Sequence, residues 1–393
     1  MAFGVYIHIP YCIQRCTYCD FATYEQSKIL PPEQYVELLF KEIRQKHGYY
    51  TPQSLDTIYF GGGTPSLIPA HLIVAIIKEL GRYGFTTRPD TEITIEINPA
   101  TVSEDKLKTY IDNGVNRFSV GAQTFDDRLL KMVHREHSAK QTLETLDLLR
   151  AHNLNFSFDI LFALPSQTVE GLRRDVQIAV EQGARHISPY CLTVPDGHPL
   201  SKGRPIDDEQ IEMFDIIADE LTKTGFKQYE ISNFALPGFE SRHNLLYWVD
   251  EPYWGLGLSA HSYSKESSWG TRYWNINNIN DYQKQVLAFD GQQFTSPALH
   301  LPESQVEVLE MHQALTDFCH TSMRLMRGLN IAQLRSKFPA GTCDKVVQIL
   351  SKLEEKAWIQ HDNGHWSLTR DGLVLSNRIF QELTFLKEDL SQD

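Results

Sequence analysis

Six times between Val5 and Thr224, a short run of β-branched and aromatic residues gives way to a longer stretch with helical amphipathic spacing. The strand-like runs begin near Val5, Thr57, Glu92, Arg117, Asn155 and His186. Strands separated by helices pair in parallel, because each crossover returns the chain to the same end of the sheet. Six such units predict an α/β fold, an open, partial (β/α)6 TIM-like barrel. A closed eight-fold barrel or a doubly wound sheet has the same periodicity. Past residue 295 the pattern changes: helical runs at 330–338 and 345–357 precede a hairpin around Asp362-Asn363-Gly364. The chain therefore divides into a core at 1–295 and a C-terminal winged-helix-like α+β domain at 296–393.

Winged-helix modules often bind DNA, but the formal net charge is −13 and no basic recognition helix is evident. A packing or lid role is expected instead, with no nucleic-acid partner. The N-terminus lacks a basic region followed by an apolar stretch, and no run approaches bilayer length. A cytoplasmic protein is expected, and peripheral membrane contact stays open.

Three of the six cysteines, Cys12, Cys16 and Cys19, fall within eight residues directly after the first strand. Thiolates so close suit a soft metal centre. A [4Fe-4S] cube takes four ligands, and Cys191, Cys319 and Cys343 are far away in sequence, so one iron would stay open. Structural zinc, with His8 as a fourth ligand, is the main competitor. Buried free cysteines and a disulfide fit less well.

Other chemistry-bearing residues also sit at strand ends, where barrel enzymes gather their sites. Gly61-Gly62-Gly63-Thr64-Pro65 follows the second strand, and without Gly-Lys-Ser/Thr it is not a P-loop. Glu96 ends the third strand within Ile95-Glu96-Ile97-Asn98-Pro99, where it is either a ligand contact or an ordinary ion-pair partner. Gln123 follows the fourth strand and Asp159 lies in the fifth.

The C-x3-C-x2-C spacing, with Tyr6-Ile-His-Ile-Pro-Tyr before it and Asp20-Phe21 after it, resembles that of radical S-adenosylmethionine (SAM) proteins. Within them it is similar to the branch of oxygen-independent coproporphyrinogen III oxidase and the HemW-type heme chaperones, over essentially the whole chain. The resemblance implies a [4Fe-4S] cluster on Cys12, Cys16 and Cys19, with SAM chelating the fourth iron. It also implies SAM contacts at Tyr6, Tyr18, Gly62, Gly63, Thr64, Glu96, Gln123, Arg135 and Asp159. Of these, Tyr18, Gln123, Arg135 and Asp159 match positions that serve a second SAM in the oxidase.

Two features separate the branches. The oxidase motif continues to a further cysteine where this chain has Phe21, and the oxidase has an N-terminal extension where this chain reaches Cys12 almost at once. No convergent basic set for a tetracarboxylate porphyrinogen is evident. His243-Asn244-Leu245-Leu246-Tyr247-Trp248 matches the H-N-x-x-Y-W pattern of the chaperones. That match implies heme, with His243 as a ligand to its iron and Tyr247 and Trp248 lining the macrocycle. The residues alone favour a capped strand end, with His243 hydrogen-bonded and the aromatics in the core. In Gly255-Leu-Gly-Leu-Ser-Ala-His261 the glycines are expected to let backbone approach a cofactor, and His261 to be an ordinary structural histidine.

The resemblance thus implies a homodimeric heme chaperone that passes heme to an acceptor such as a respiratory heme protein. The alternative is an enzyme, oxygen-independent coproporphyrinogen III dehydrogenase, which abstracts hydrogen from propionate side chains and releases carbon dioxide.

Overall fold

The structure is a computed structural model that describes residues 2–265 and 269–390. Six parallel strands form its centre: β1 (Gly4–Ile9), β2 (Thr57–Gly62), β3 (Glu92–Ile97), β4 (Arg117–Gln123), β5 (Asn155–Phe162) and β6 (His186–Cys191). They pair in chain order, for example Gly4 with Thr57 and Thr94 with Arg117. Helices α1 (Pro32–Lys46), α2 (Ala70–Arg82) and α3 (Glu104–Asp112) follow the first three strands. After β4 come α4 (Asp127–Met132) and α5 (Ala139–Ala151), and α6 (Val169–Glu181) and α7 (Asp207–Lys223) follow β5 and β6.

Strand periodicity explains why the barrel has a polar lumen. Val5, Ile7 and Ile9, then Ile93, Ile95 and Ile97, then Phe118, Val120 and Ala122 are buried in one apolar core. The opposite face of these strands carries Thr94, Glu96, Arg117, Ser119, Ser157 and Asp159, which line a cavity. The core is closed by helix stripes such as Tyr35, Leu39 and Ile43 of α1 and Ile73, Ile76 and Leu80 of α2.

The barrel stays open because other strands take up both edges. Beyond β6 lie the antiparallel β7 (Lys227–Glu230) and β8 (Asn233–Ala235), with β8 next to β6. On the other side, β9 (Tyr253–Leu256) pairs parallel to β1. An antiparallel meander of β10 (His261–Ser264), β11 (Thr271–Trp274) and β12 (Val306–Val308) continues from it.

That meander corrects the expected domain boundary, because β12 belongs to the large sheet and lies beyond residue 296. A second apolar core gathers only from Ala314 onward. There the helix Met311–Arg324 leads to a three-stranded sheet of Leu329–Asn330, His365–Leu368 and Ile359–Asp362, with helices Ile331–Lys337 and Ala340–Glu355 packed on it. Two helices and a wing hairpin match the expected winged-helix-like module.

Candidate metal centre and cofactor cavity

The cysteine loop leaves β1 at Pro10 and is tied down on both flanks. Tyr11–Cys12 pairs with Tyr24–Glu25, and the Tyr24 amide donates to the Pro10 carbonyl at 2.8 Å. Beneath it, the Gly63 and Thr64 amides donate to the Ile9 and Tyr11 carbonyls at 2.8 and 2.7 Å. This seating requires glycine. A Cβ on Gly62, whose φ is +108°, would stand 2.6 Å from the His8 ring, and one on Gly63 would stand 2.6 Å from the Tyr11 carbonyl oxygen.

Cys12, Cys16 and Cys19 line one cavity of about 250 Å³ at the C-terminal mouth of the barrel. Tyr18, Gly62, Gly63, Thr64, Glu96, Gln123, Arg135 and Asp159 line it with them. Segments far apart in sequence therefore converge on one cavity. Tyr6 is the exception: its side chain lines a second cavity, and its hydroxyl meets His8 Nδ1 at 3.2 Å.

The donor set fits an iron-sulfur cube better than zinc. His8 is not a spare ligand, because its Nε2 is 2.9 Å from the Ala22 carbonyl and its Nδ1 faces Tyr6. Among the described residues no three His, Cys, Asp or Glu side chains converge on one ion-sized point. A cube puts each thiolate on a different iron, which spaces its ligands more widely than a single zinc ion does. Arg135 Nη1 lies 3.5 Å from Cys16 Sγ, a cationic donor aimed at a position that becomes anionic on ligation. Its Nη2 donates to the Gly121 carbonyl. In the free protein, burial pushes the Cys12 thiol up to about 11, opposed by a hydrogen bond with Thr64.

Deeper in, Glu96 accepts hydrogen bonds from the Tyr59 hydroxyl at 2.8 Å and the Gly62 amide at 3.2 Å. Burial raises its carboxyl to about 7 against those bonds, helped by the nearby Asp159 charge. Asp159 is raised to about 6, again chiefly by burial and against a Ser188 hydrogen bond. Gln123 has a φ of 69°, a left-handed conformation that a non-glycine residue adopts at a cost of about 1 kcal/mol. It falls where β4 meets the cavity, and the β4–β5 register shifts between Val120 and Gln123.

Sequence reading passed over Tyr59, Arg117, His186 and Tyr190, which also line this cavity. The signal was present: Arg117-Phe-Ser119, Ser157-Phe-Asp159 and His186-Ile-Ser188 alternate polar with apolar residues, as strands facing a wet lumen do.

The surroundings of His243 are those of a packed histidine. The H-N-x-x-Y-W segment is a short helix, α8 (Arg242–Trp248), whose N-terminus is capped by Ser241, and not a strand end. His243 is 1% exposed and lines neither cavity. Its Nδ1 shares a 2.7 Å hydrogen bond with Thr57 Oγ1 and its Nε2 a 2.8 Å one with the Tyr247 hydroxyl. Both ring nitrogens are hydrogen-bonded, one as donor and one as acceptor, and burial lowers the pKa to about 3. Tyr247 and Trp248 do face the second cavity, which is about 590 Å³ and lies on the other side of the cysteine loop. The Arg324 guanidinium stacks 4.4 Å over the Trp248 ring, which brings the C-terminal domain onto this helix. The glycine expectation also changes. A Cβ on Gly255 would stand 2.1 Å from the His261 carbonyl oxygen, so the close approach there is chain to chain.

An open parallel barrel with three cysteines after β1 and a glycine turn after β2 defines a radical SAM protein. Residues 6–179 match the family model of the radical SAM superfamily. The fold is that of coproporphyrinogen III oxidase from Escherichia coli, with a TM-score of 0.80 over 98% of this chain and 90% of that one at 19% identity. Relatives named heme chaperone HemW are more similar in sequence. That of Lactococcus lactis is 31% identical over 99% of this chain and 98% of its own length. That of Bacillus subtilis is 33% identical over 96% and 98%. The chain belongs to the HemW family.

Proposed function

We propose that the protein accepts heme and hands it to an acceptor protein, carrying a [4Fe-4S] cluster on Cys12, Cys16 and Cys19 with exchangeable SAM beside it. The observation that carries this reading is the placement of Phe21. Where the oxidase pattern has a further cysteine, this chain puts an aromatic ring that is 66% exposed and lines both cavities. An exposed Phe between a polar cofactor cavity and a larger aromatic one suits an apolar macrocycle as cargo.

When bound, the reduced cluster supplies an electron to SAM. The chain's own groups hold the two ligands: the glycine turn offers backbone to SAM, Glu96 and Asp159 face it from the lumen, and Arg135 supports the cluster side. Because Phe21 follows Cys19 by two residues, ordering of the cysteine loop by cluster and SAM also positions the wall of the second cavity. A cytoplasmic site of action, a homodimer and a respiratory heme protein as acceptor complete the proposal. Any membrane contact would be peripheral, since no helix among the described residues is long and apolar enough to cross a bilayer.

The test is anaerobic heme titration of cluster-reconstituted protein, followed by Soret absorbance. Saturation near one heme per chain is expected, with no decarboxylation of coproporphyrinogen III and no matching 5′-deoxyadenosine. Decarboxylation without heme binding would overturn the proposal in favour of the dehydrogenase.

A further inference from the structure

The second cavity has walls from three parts of the chain: the cysteine loop at Phe21, helix α8 at Tyr247 and Trp248, and the meander at Tyr253 and Tyr263. Its volume of about 590 Å³ is in the range of cofactor-sized sites, and aromatic rings dominate its lining. Two imidazoles border it, His8 and His261. Both His8 nitrogens are committed to Ala22 and Tyr6. His261 is exposed, and no hydrogen bond to its ring is found among the described residues.

His261 is also held firmly. It opens β10, paired with Trp274 of β11, and the Trp274 indole stacks on its ring at 5.7 Å and 21°. Behind it, the Ser262 hydroxyl accepts from the Gly255 amide at 2.9 Å, and glycine at 255 lets the strands close. A ligand on a packed strand keeps its orientation better than one on a loop. Partial burial of the ring against its neighbours and the Arg272 charge lower the His261 pKa, which leaves the imidazole neutral and able to ligate near neutral pH.

Resting on the heme reading above, we propose that heme is bound in this second cavity and that His261, not His243, is the axial ligand to its iron. Tyr247 and Trp248 then contribute aromatic wall, and His243 is the positioning residue that holds the Tyr247 hydroxyl. Of the four acids that line the cavity, Asp250 pairs with Lys337, Asp317 with Arg272 and Glu251 with Lys265, which leaves Asp20 as the charge an anionic porphyrin would have to face away from.

The experiment is anaerobic heme titration of the cluster-reconstituted full chain, with parent, His261→Ala and His261→Cys compared by Soret absorbance and EPR. The parent is expected to saturate with a histidine-ligated spectrum. His261→Ala should raise the heme Kd at least tenfold, and His261→Cys should convert the signature to thiolate ligation. Circular dichroism and iron content should stay at parental values, since the residue is exposed and its ring makes no hydrogen bond among the described residues. A parent that binds heme, with both variants keeping its spectrum and affinity, would overturn the assignment of His261 and leave heme binding standing. A parent that binds none would overturn both.

Discussion

The Arg135 guanidinium lies 3.5 Å from the Cys16 sulfur, fixed there by its second bond to the Gly121 carbonyl. A cationic donor at a cluster sulfur favours the reduced, more negative state. Arg135→Leu should therefore lower the midpoint potential of the reconstituted cluster by on the order of 50 mV. Arg135→Lys should lower it less. A potential unchanged in EPR-monitored titration would remove Arg135 from the cluster's surroundings.

Each of Cys12, Cys16 and Cys19 is only partly buried, so single serine variants should fold. Their iron should fall from about four per chain toward zero on reconstitution. Cys191→Ser, outside that cavity, should keep its iron and its absorbance near 400 nm.

Glu96 gives a pH signature in the cluster-free protein. Its carboxyl is raised by burial from 4.5 to about 7, so the folded state holds the proton more tightly than the unfolded one. That contribution to stability is complete below pH 4.5 and is lost as pH rises through 7. Glu96→Gln should match the parent near pH 4 and be more stable at pH 8, by on the order of 1–3 kcal/mol. Denaturant melts at the two pH values measure it, and equal differences at both would contradict the raised pKa.

His243→Ala should destabilise the fold by about 2–4 kcal/mol, because it opens a buried space and orphans Thr57 and Tyr247. Tyr247→Phe removes one hydroxyl and should cost about 1 kcal/mol. A His243 variant with an unchanged Tm would mean the ring is not packed as described.

Gly255→Ala places a methyl against the His261 carbonyl and should force β9 and β10 apart. The expected cost is on the order of 3 kcal/mol, read from the shift in denaturant midpoint. Gly291→Ala has open space at its Cβ position but a φ of +81°, so its smaller cost of about 1 kcal/mol reports backbone strain alone.

Much of the site was legible because barrel chemistry sits where strands end, and strand ends can be read from local periodicity. The cysteine loop, the glycine turn and Glu96 follow three successive strands, so parallel pairing was enough to bring them together. Gln123 and Asp159 were legible in the same way, Arg135 needed the family resemblance to be singled out, and the structure puts all three on the same cavity. The domain boundary was misjudged at β12, a three-residue strand whose membership of the large sheet depends on pairing with β11 and not on its own sequence.

By itself the sequence determined the alternation of strand and helix, the polar face of the lumen and the triple-thiol loop, since each rests on residues close together along the chain. Only the tertiary structure decided which imidazole is free. His243 and His261 look alike as letters, each beside aromatics. Whether a ring nitrogen can bind iron depends on whether Thr57 and Tyr247, or open space, stand beside it, and that is a matter of how helix α8, which carries both His243 and Tyr247, packs against Thr57 on a strand 186 residues earlier.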